Sequence, residues 1–135
     1  MIGLDTNVLV RYIVQDDPAH AACASDLIES LSGTSPGFVT IVSVVELVWV
    51  LQRCYQATRR EVADVLETLL RSKDIVLENA DLLWQALRCY TASSADFSDS
   101  LIERSAHAAG CEYTLTFDRN AASTVGMRLI KTEVG

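Results

Sequence analysis

Two kinds of apolar pattern alternate along this chain. Short continuous apolar runs bounded by turn residues mark strands, and longer stretches with apolar positions three and four apart mark helices. Met1 to Leu4 is a run of the first kind, and Asp5-Thr6-Asn7 behind it has the composition of a helix start. Val8, Leu9, Tyr12 and Ile13 then form a helical stripe. Asp17-Pro18 punctuates, and a second helix is predicted over Pro18 to Leu31, with proline in the first turn where no backbone N–H is needed. Ser32 to Gly37 is a loop by its turn residues, and the β-branched run Phe38 to Val42 predicts a central strand. Ser43 to Tyr55 predicts a helix that is apolar on most of its circumference, through Val44, Val45, Leu47, Val48, Trp49, Val50 and Leu51. Such a helix is buried on more than one side, here against the core and against a second subunit or other partner. Arg59 to Arg71 is amphipathic through Val62, Val65, Leu66, Leu69 and Leu70. Ile75 to Leu77 is a short strand, and Ala80 to Tyr90 a helix with Leu83, Ala86, Leu87 and Tyr90 on one face. Ser98 to Ala109 predicts a helix closed by Gly110. Tyr113 to Thr116 and Met127 to Ile130 are the last two strands, around a short helix after Asp118.

Strands alternating with helices predict an α/β fold on a mainly parallel sheet of four to five strands. Ligands of such sheets sit beyond the carboxyl ends of the strands, where strand order reverses. A length of 135 residues suits one domain, taken as 1–135, and no repeat or low-complexity linker interrupts it. Half of the residues are hydrophobic, enough for a packed core without disulfides. The apolar stretch Val39 to Leu51 is interrupted by Ser43 and Glu46 and is too short to span a bilayer, so no membrane association is expected. The first residues carry no basic segment or cleavage site and read as a strand of the mature fold. Cys23, Cys54, Cys89 and Cys111 are far apart, and only His20 and His107 could complement them, so zinc spacing is absent. Buried free thiols in a cytoplasmic protein are the expectation.

The formal net charge of −7 changes the picture of possible partners. It opposes broad attraction to nucleic acid, which normally shows as a basic surface. Nucleic-acid chemistry here requires recruited cations or a local basic strip, and a basic protein partner suits the excess.

The acids themselves fall at telling places. Asp5 ends the first strand, Glu46 lies in the first turn of the helix after the second, and Asp118 follows the fourth by one residue after Phe117. Asp96 and Asp99 stand where the helix before the fourth strand begins. A parallel topology puts the first three on one edge of the sheet, and the last two join them if their helix starts on that side. Each acid also has a plain structural use. Ser43-Val44-Val45-Glu46 fits a capping box, and the aspartates could cap helices or complement their dipoles. As a set, several carboxylates repel one another unless a cation joins them. Oxygen donors without His or Cys suit Mg²⁺ or Mn²⁺ better than zinc. Such ions support phosphodiester hydrolysis. Other chemistries lack their parts: no glycine-rich phosphate loop, no G-x-S-x-G elbow, and neither histidine near a candidate nucleophile.

Four segments together resemble the PIN-domain family. Met1 to Leu9 resembles its opening strand and D-T-N turn, and Ser43-Val44-Val45-Glu46-Leu47 its second acidic motif. Asp96-Phe97-Ser98-Asp99-Ser100-Leu101-Ile102 is similar to the third, and Thr114-Leu115-Thr116-Phe117-Asp118 to the fourth. The likeness covers essentially the whole chain and is greatest to the VapC-type toxins of bacterial toxin–antitoxin pairs. It implies a three-layer α/β/α sandwich and a Mg²⁺-dependent endoribonuclease that cuts structured RNA, in which Mn²⁺ can substitute. It also implies a homodimer neutralised by a small antitoxin protein. Carried over by position, Asp5 and Asp99 would be the principal metal ligands, with Glu46 and Asp118 completing the catalytic acids. Asp96 would match the first acid of a D-x-x-D variant, while Thr6, Asn7 and Thr116 would position carboxylates by hydrogen bonding. Metal-activated water would attack the phosphorus in line and leave a 5′-phosphate. Arg11 and Arg119 are candidates for phosphate contact, although a lone arginine more often serves a surface salt bridge. Two other readings remain at this point: a PIN module that binds RNA or protein without cutting, and a haloacid-dehalogenase-like phosphatase. The latter wants a second aspartate where this chain has Asn7.

Overall fold

The computed structural model describes residues 1–132, which form seven α-helices and five short strands. Contacts divide the chain into two compact units, Met1–Ala80 and the part from Asp81 onward.

In the first unit, β1 (Ile2–Gly3), β2 (Gly37–Val39) and β3 (Ile75–Leu77) pair side by side in that order, and both pairings are parallel. Parallel neighbours need crossovers, which are α1 (Thr6–Val14) with α2 (Pro18–Ser30), and α3 (Ile41–Cys54) with α4 (Arg59–Arg71). Gly37 stands opposite both Ile2 and Ile75. A Cβ there would lie 2.7 Å from Leu4 Cδ1 and 3.0 Å from Leu31 Cδ1, so those leucines close over the strand where glycine leaves room. The core gathers Leu4, Leu9, Val39, Val44, Leu47 and Val62, each at most 5% exposed. The helix α1 packs on α2 and α3, and α4 packs on α3 and β3. A capping box fixes the start of α4, with Thr58 and Glu61 exchanging side-chain and backbone hydrogen bonds.

The second unit contains α5 (Ala80–Ala92, from its second residue), α6 (Phe97–Ala108), β4 (Leu115–Thr116), α7 (Arg119–Val125) and β5 (Arg128–Leu129). The strands β4 and β5 pair in parallel, with Leu115 opposite Arg128. Ala95, Ala121, Val125 and Met127 form a buried cluster that Cys89 also touches. Phe97 is buried and meets Tyr90 edge to face, with ring centroids 5.9 Å apart at 82°. The end of α6 is a Schellman motif. Gly110 has φ +96° and donates its N–H to His107 O, and the Cys111 N–H reaches Ala106 O.

The α/β class with parallel strands is as expected, and the five strands pair as three and two among the described residues. Several boundaries differ. The run Phe38 to Val42 yields a strand only to Val39, because Thr40 caps α3 through its hydroxyl and draws Ile41 and Val42 into the helix. Ser43 is therefore not the cap, and Glu46 sits in the second turn rather than a capping box. The thiols were expected to be buried, yet Cys23, Cys54 and Cys111 are exposed and Cys89 is half-buried, all unpaired. In α2 the buried stripe is Ala21, Ala24 and Ile28, and Cys23 falls beside it. Helix α3 buries Val44, Leu47, Val48 and Leu51, while Val42 and Trp49 remain 68% and 57% exposed on its other side. No described helix is long and apolar enough to cross a membrane.

Phe97→Ala should lower stability by about 3–5 kcal/mol, the range for removing a buried phenylalanine. Urea denaturation should show a lower midpoint at unchanged slope, and a midpoint within error of wild type would contradict the packing of α6 on Tyr90.

Candidate active site

The first unit supplies two acids. Asp5 follows β1 by way of Leu4, and its backbone there is extended, as an N-cap requires. One carboxylate oxygen, Oδ1, accepts from the Thr6 N–H at 2.8 Å, and the group is exposed. Packing of α1 on α3 brings Thr6 to Glu46, where the Thr6 hydroxyl donates to Oε1 at 2.9 Å. Thr6 is itself buried, so this bond ties Glu46 to a fixed point on α1. The start of α3 needs nothing from Glu46, since Thr40 accepts from the Ser43 N–H and the Glu78 carboxylate accepts from that of Ile41. Asp5, Thr6, Asn7, Arg11 and Glu46 line an open cleft of about 370 Å³, with Tyr55 at its side.

Arg11 is committed within that cleft. Its Nη1 lies 3.1 Å from Asp16 Oδ1, and the Tyr55 hydroxyl donates to Asp16 Oδ2 at 2.9 Å. That hydrogen bond to a carboxylate pushes the Tyr55 phenol pKa up from its ordinary value. The sequence singled out Arg11 but not Asp16 or Tyr55. The spacing of an acid five residues after Arg11 was the available signal, while Tyr55 lies too far along the chain for one. Asn7 has no hydrogen-bond partner for its side chain among the described residues, so the positioning role expected of it has no bond behind it here.

In the second unit Asp96 caps α6, its Oδ1 accepting from the Ser98 N–H at 3.4 Å. Asp118 caps α7, its Oδ1 accepting from Asn120 N–H at 2.8 Å and Ala121 N–H at 3.3 Å. Thr116 holds the backbone of Asp118, whose N–H donates to the Thr116 hydroxyl at 3.0 Å. It thus fixes the residue rather than the carboxylate. Asp99 lies in the first turn of α6 and caps nothing. It is half-buried, and α6 packs against α7. Burial raises its pKa above the usual carboxylate value, and the charges of Asp96 and Asp118 raise it further. Arg119 is exposed and joins no ion pair among the described residues.

Each unit therefore presents carboxylates beside the carboxyl end of a parallel strand or at a helix start. Among the described residues, no three His, Cys, Asp or Glu side chains are gathered tightly enough to hold a metal as they stand. The donor chemistry still suits a hard divalent ion. Every candidate is a carboxylate, and the crowding around Asp99 would be relieved by a cation.

Each unit is thus an α/β arrangement in which carboxylates stand at the starts of helices, without His or Cys among them. The PIN domain family model matches residues 2–126, and the chain belongs to that family. PIN domains are generally nucleases and typically use divalent metal ions, so this is a nuclease-type fold and a hydrolase at that level. No curated protein matches the chain.

The raised pKa of Asp99 has a consequence for stability. A carboxyl that titrates higher folded than unfolded makes the folded state lose stability as pH rises through that window. The window begins at the ordinary value of 3.8 and ends at the raised one. Without divalent metal, Asp99→Asn should therefore melt at or above wild type at neutral pH, with the difference vanishing as pH falls below the window. Thermal melts in EDTA across that range check it, and a lower melting temperature for the variant at neutral pH would refute it.

Proposed function

We propose that this chain is a Mg²⁺-dependent endoribonuclease and the toxin of a type II toxin–antitoxin pair. The observation carrying the reading is the set of carboxylates on a nuclease-type fold, with Asp99 crowded by Asp96 and Asp118 and matched by no cation among its perturbing neighbours. Asp5 and Asp99 are assigned as metal ligands, and Glu46 and Asp118 as the further catalytic acids. Thr6 acts as a positioning residue, because its hydroxyl fixes one oxygen of Glu46 at the cleft that both residues line. Thr116 does the same for the backbone of Asp118. Bound Mg²⁺, or Mn²⁺ in its place, would supply charge neutralisation at the scissile phosphate and acidify the attacking water.

Two observations support the partners. The net charge of −7 suits a small basic antitoxin whose Arg or Lys side chains meet the acids. The open face of α3, with Val42 and Trp49 exposed, suits a homodimer contact. A cytoplasmic location accords with these partners. A PIN module that binds without cutting is separated by calorimetry, since it need not bind Mn²⁺.

Asp5→Asn and Asp99→Asn should each reduce Mg²⁺-dependent cleavage of structured RNA to background while circular dichroism stays native. Full activity of either purified variant would sink the assignment. In cells, induction of the chain alone should arrest growth, and co-expression of the adjacent small open reading frame should relieve it. Persistent arrest would remove the antitoxin from the proposal.

A further inference from the structure

We infer that the groove at the ends of β4 and β5 binds a nucleotide of single-stranded RNA, its base against Phe117 and its phosphate between Arg119 and Lys131. This rests on the ribonuclease reading and names a subsite for its substrate. The groove lies wholly within the second unit, encloses about 430 Å³, and is lined by Phe117, Arg119, Leu129, Ile130, Lys131 and Thr132.

Phe117 is the first reason. The residue is 70% exposed, and its ring has no ring partner among the described residues. Tyr113, two positions before β4, shows the contrast. Its ring is already covered by the Arg128 guanidinium, 3.7 Å from the centroid. Of the two aromatic residues flanking β4, Phe117 offers the uncovered π-face, and every nucleobase has a matching one.

Charge supplies the second reason and selects the occupant. Residues 113–132 carry Arg119, Arg128 and Lys131 against Asp118 alone, in a chain whose net charge is −7. With Arg128 turned to Tyr113, Arg119 and Lys131 are the cations that line the groove, and neither joins an ion pair among the described residues. An apolar protein segment would cover Phe117 and leave both cations uncompensated, whereas a nucleotide satisfies ring and cations together. The strand must be single, because a base within a duplex keeps its faces stacked on its neighbours. Phe117 and Arg119 flank Asp118 in sequence, so RNA held here passes beside one of the proposed catalytic acids.

The test uses the full chain in EDTA, to suspend turnover, and a short fluorescent single-stranded RNA of mixed sequence. Phe117→Ala should weaken binding about tenfold, within the range for losing one base–aromatic stack, and Phe117→Trp should preserve it. Arg119→Gln and Lys131→Gln should each lower the slope of log affinity against log salt by about 0.7, as expected for one phosphate contact to a single strand. A duplex of the same sequence should bind less tightly and be insensitive to Phe117→Ala. The inference is overturned if Phe117→Ala binds the single strand like wild type. It is equally overturned if that variant alters self-association in sedimentation without altering RNA affinity, which would make the face a contact between copies. The two readings fail separately. Binding through Phe117 without Mg²⁺-dependent cleavage removes the nuclease and leaves the groove, while cleavage that is indifferent to Phe117 removes the groove and leaves the nuclease.

Discussion

The backbone N–H groups at a helix start need acceptors, and in this domain exposed aspartates supply them. Asp5, Asp96 and Asp118 each cap a helix, and in every case the bonded oxygen is Oδ1. Backbone N–H groups that lack intrahelical partners stabilise the charge, and the helix dipole adds a favourable field. The second oxygen of each aspartate takes no hydrogen bond from the described residues. Capping and ligation are thus compatible uses of one carboxylate, with one oxygen anchoring and the other available. A structural and a functional use, between which the sequence leaves the choice open, can therefore fall on two oxygens of the same group.

Asp99 and Glu46 fall outside that scheme, and each departs differently. Glu46 is steadied by a threonine hydroxyl from another helix instead of by its own helix start. Asp99 has no such support and is destabilised by burial and by two like charges. Residues that weaken the folded state and still occupy an ordered position are those for which function is the natural explanation. The pattern is sharper because the neighbouring residue, Phe97, is among the best packed in its unit. A rigid aromatic anchor two positions away holds the unfavourable carboxylate where it is.

Legibility in the sequence followed the range of the forces involved. Local apolar pattern and turn residues located the seven helices and five strands of the described residues, because burial of one face is a local pattern. The start of α3 was misplaced because Ile41 and Val42 are β-branched and carry strand preference, which the Thr40 cap overrides. The capping box was expected at Ser43 and Glu46 but occurs at Thr58 and Glu61, where the same pattern opens a helix. Acids, their order and their placement after strands were readable. The Thr6–Glu46 bond and the Arg11–Asp16–Tyr55 group were not, since both depend on contacts between separate elements. Cysteine burial was misjudged for a related reason: cysteine is usually buried by type, but its place relative to the stripe decides.

The double use of the aspartates also fixes how the site must be probed. Asparagine caps helices about as well as aspartate. An Asp→Asn change at position 5 or 118 keeps an oxygen for the helix N–H groups and removes the charge that a cation would meet. Alanine removes both, and loss of the cap alone costs about 1 kcal/mol, so a folding defect and a chemical defect would arrive together. At position 99 no cap is at stake, and removing the charge relieves repulsion instead. The three sites therefore separate by their stability: near neutral at the two caps, neutral or favourable at Asp99. A loss of function that ignores this difference in stability belongs to the carboxylate charge and not to the fold.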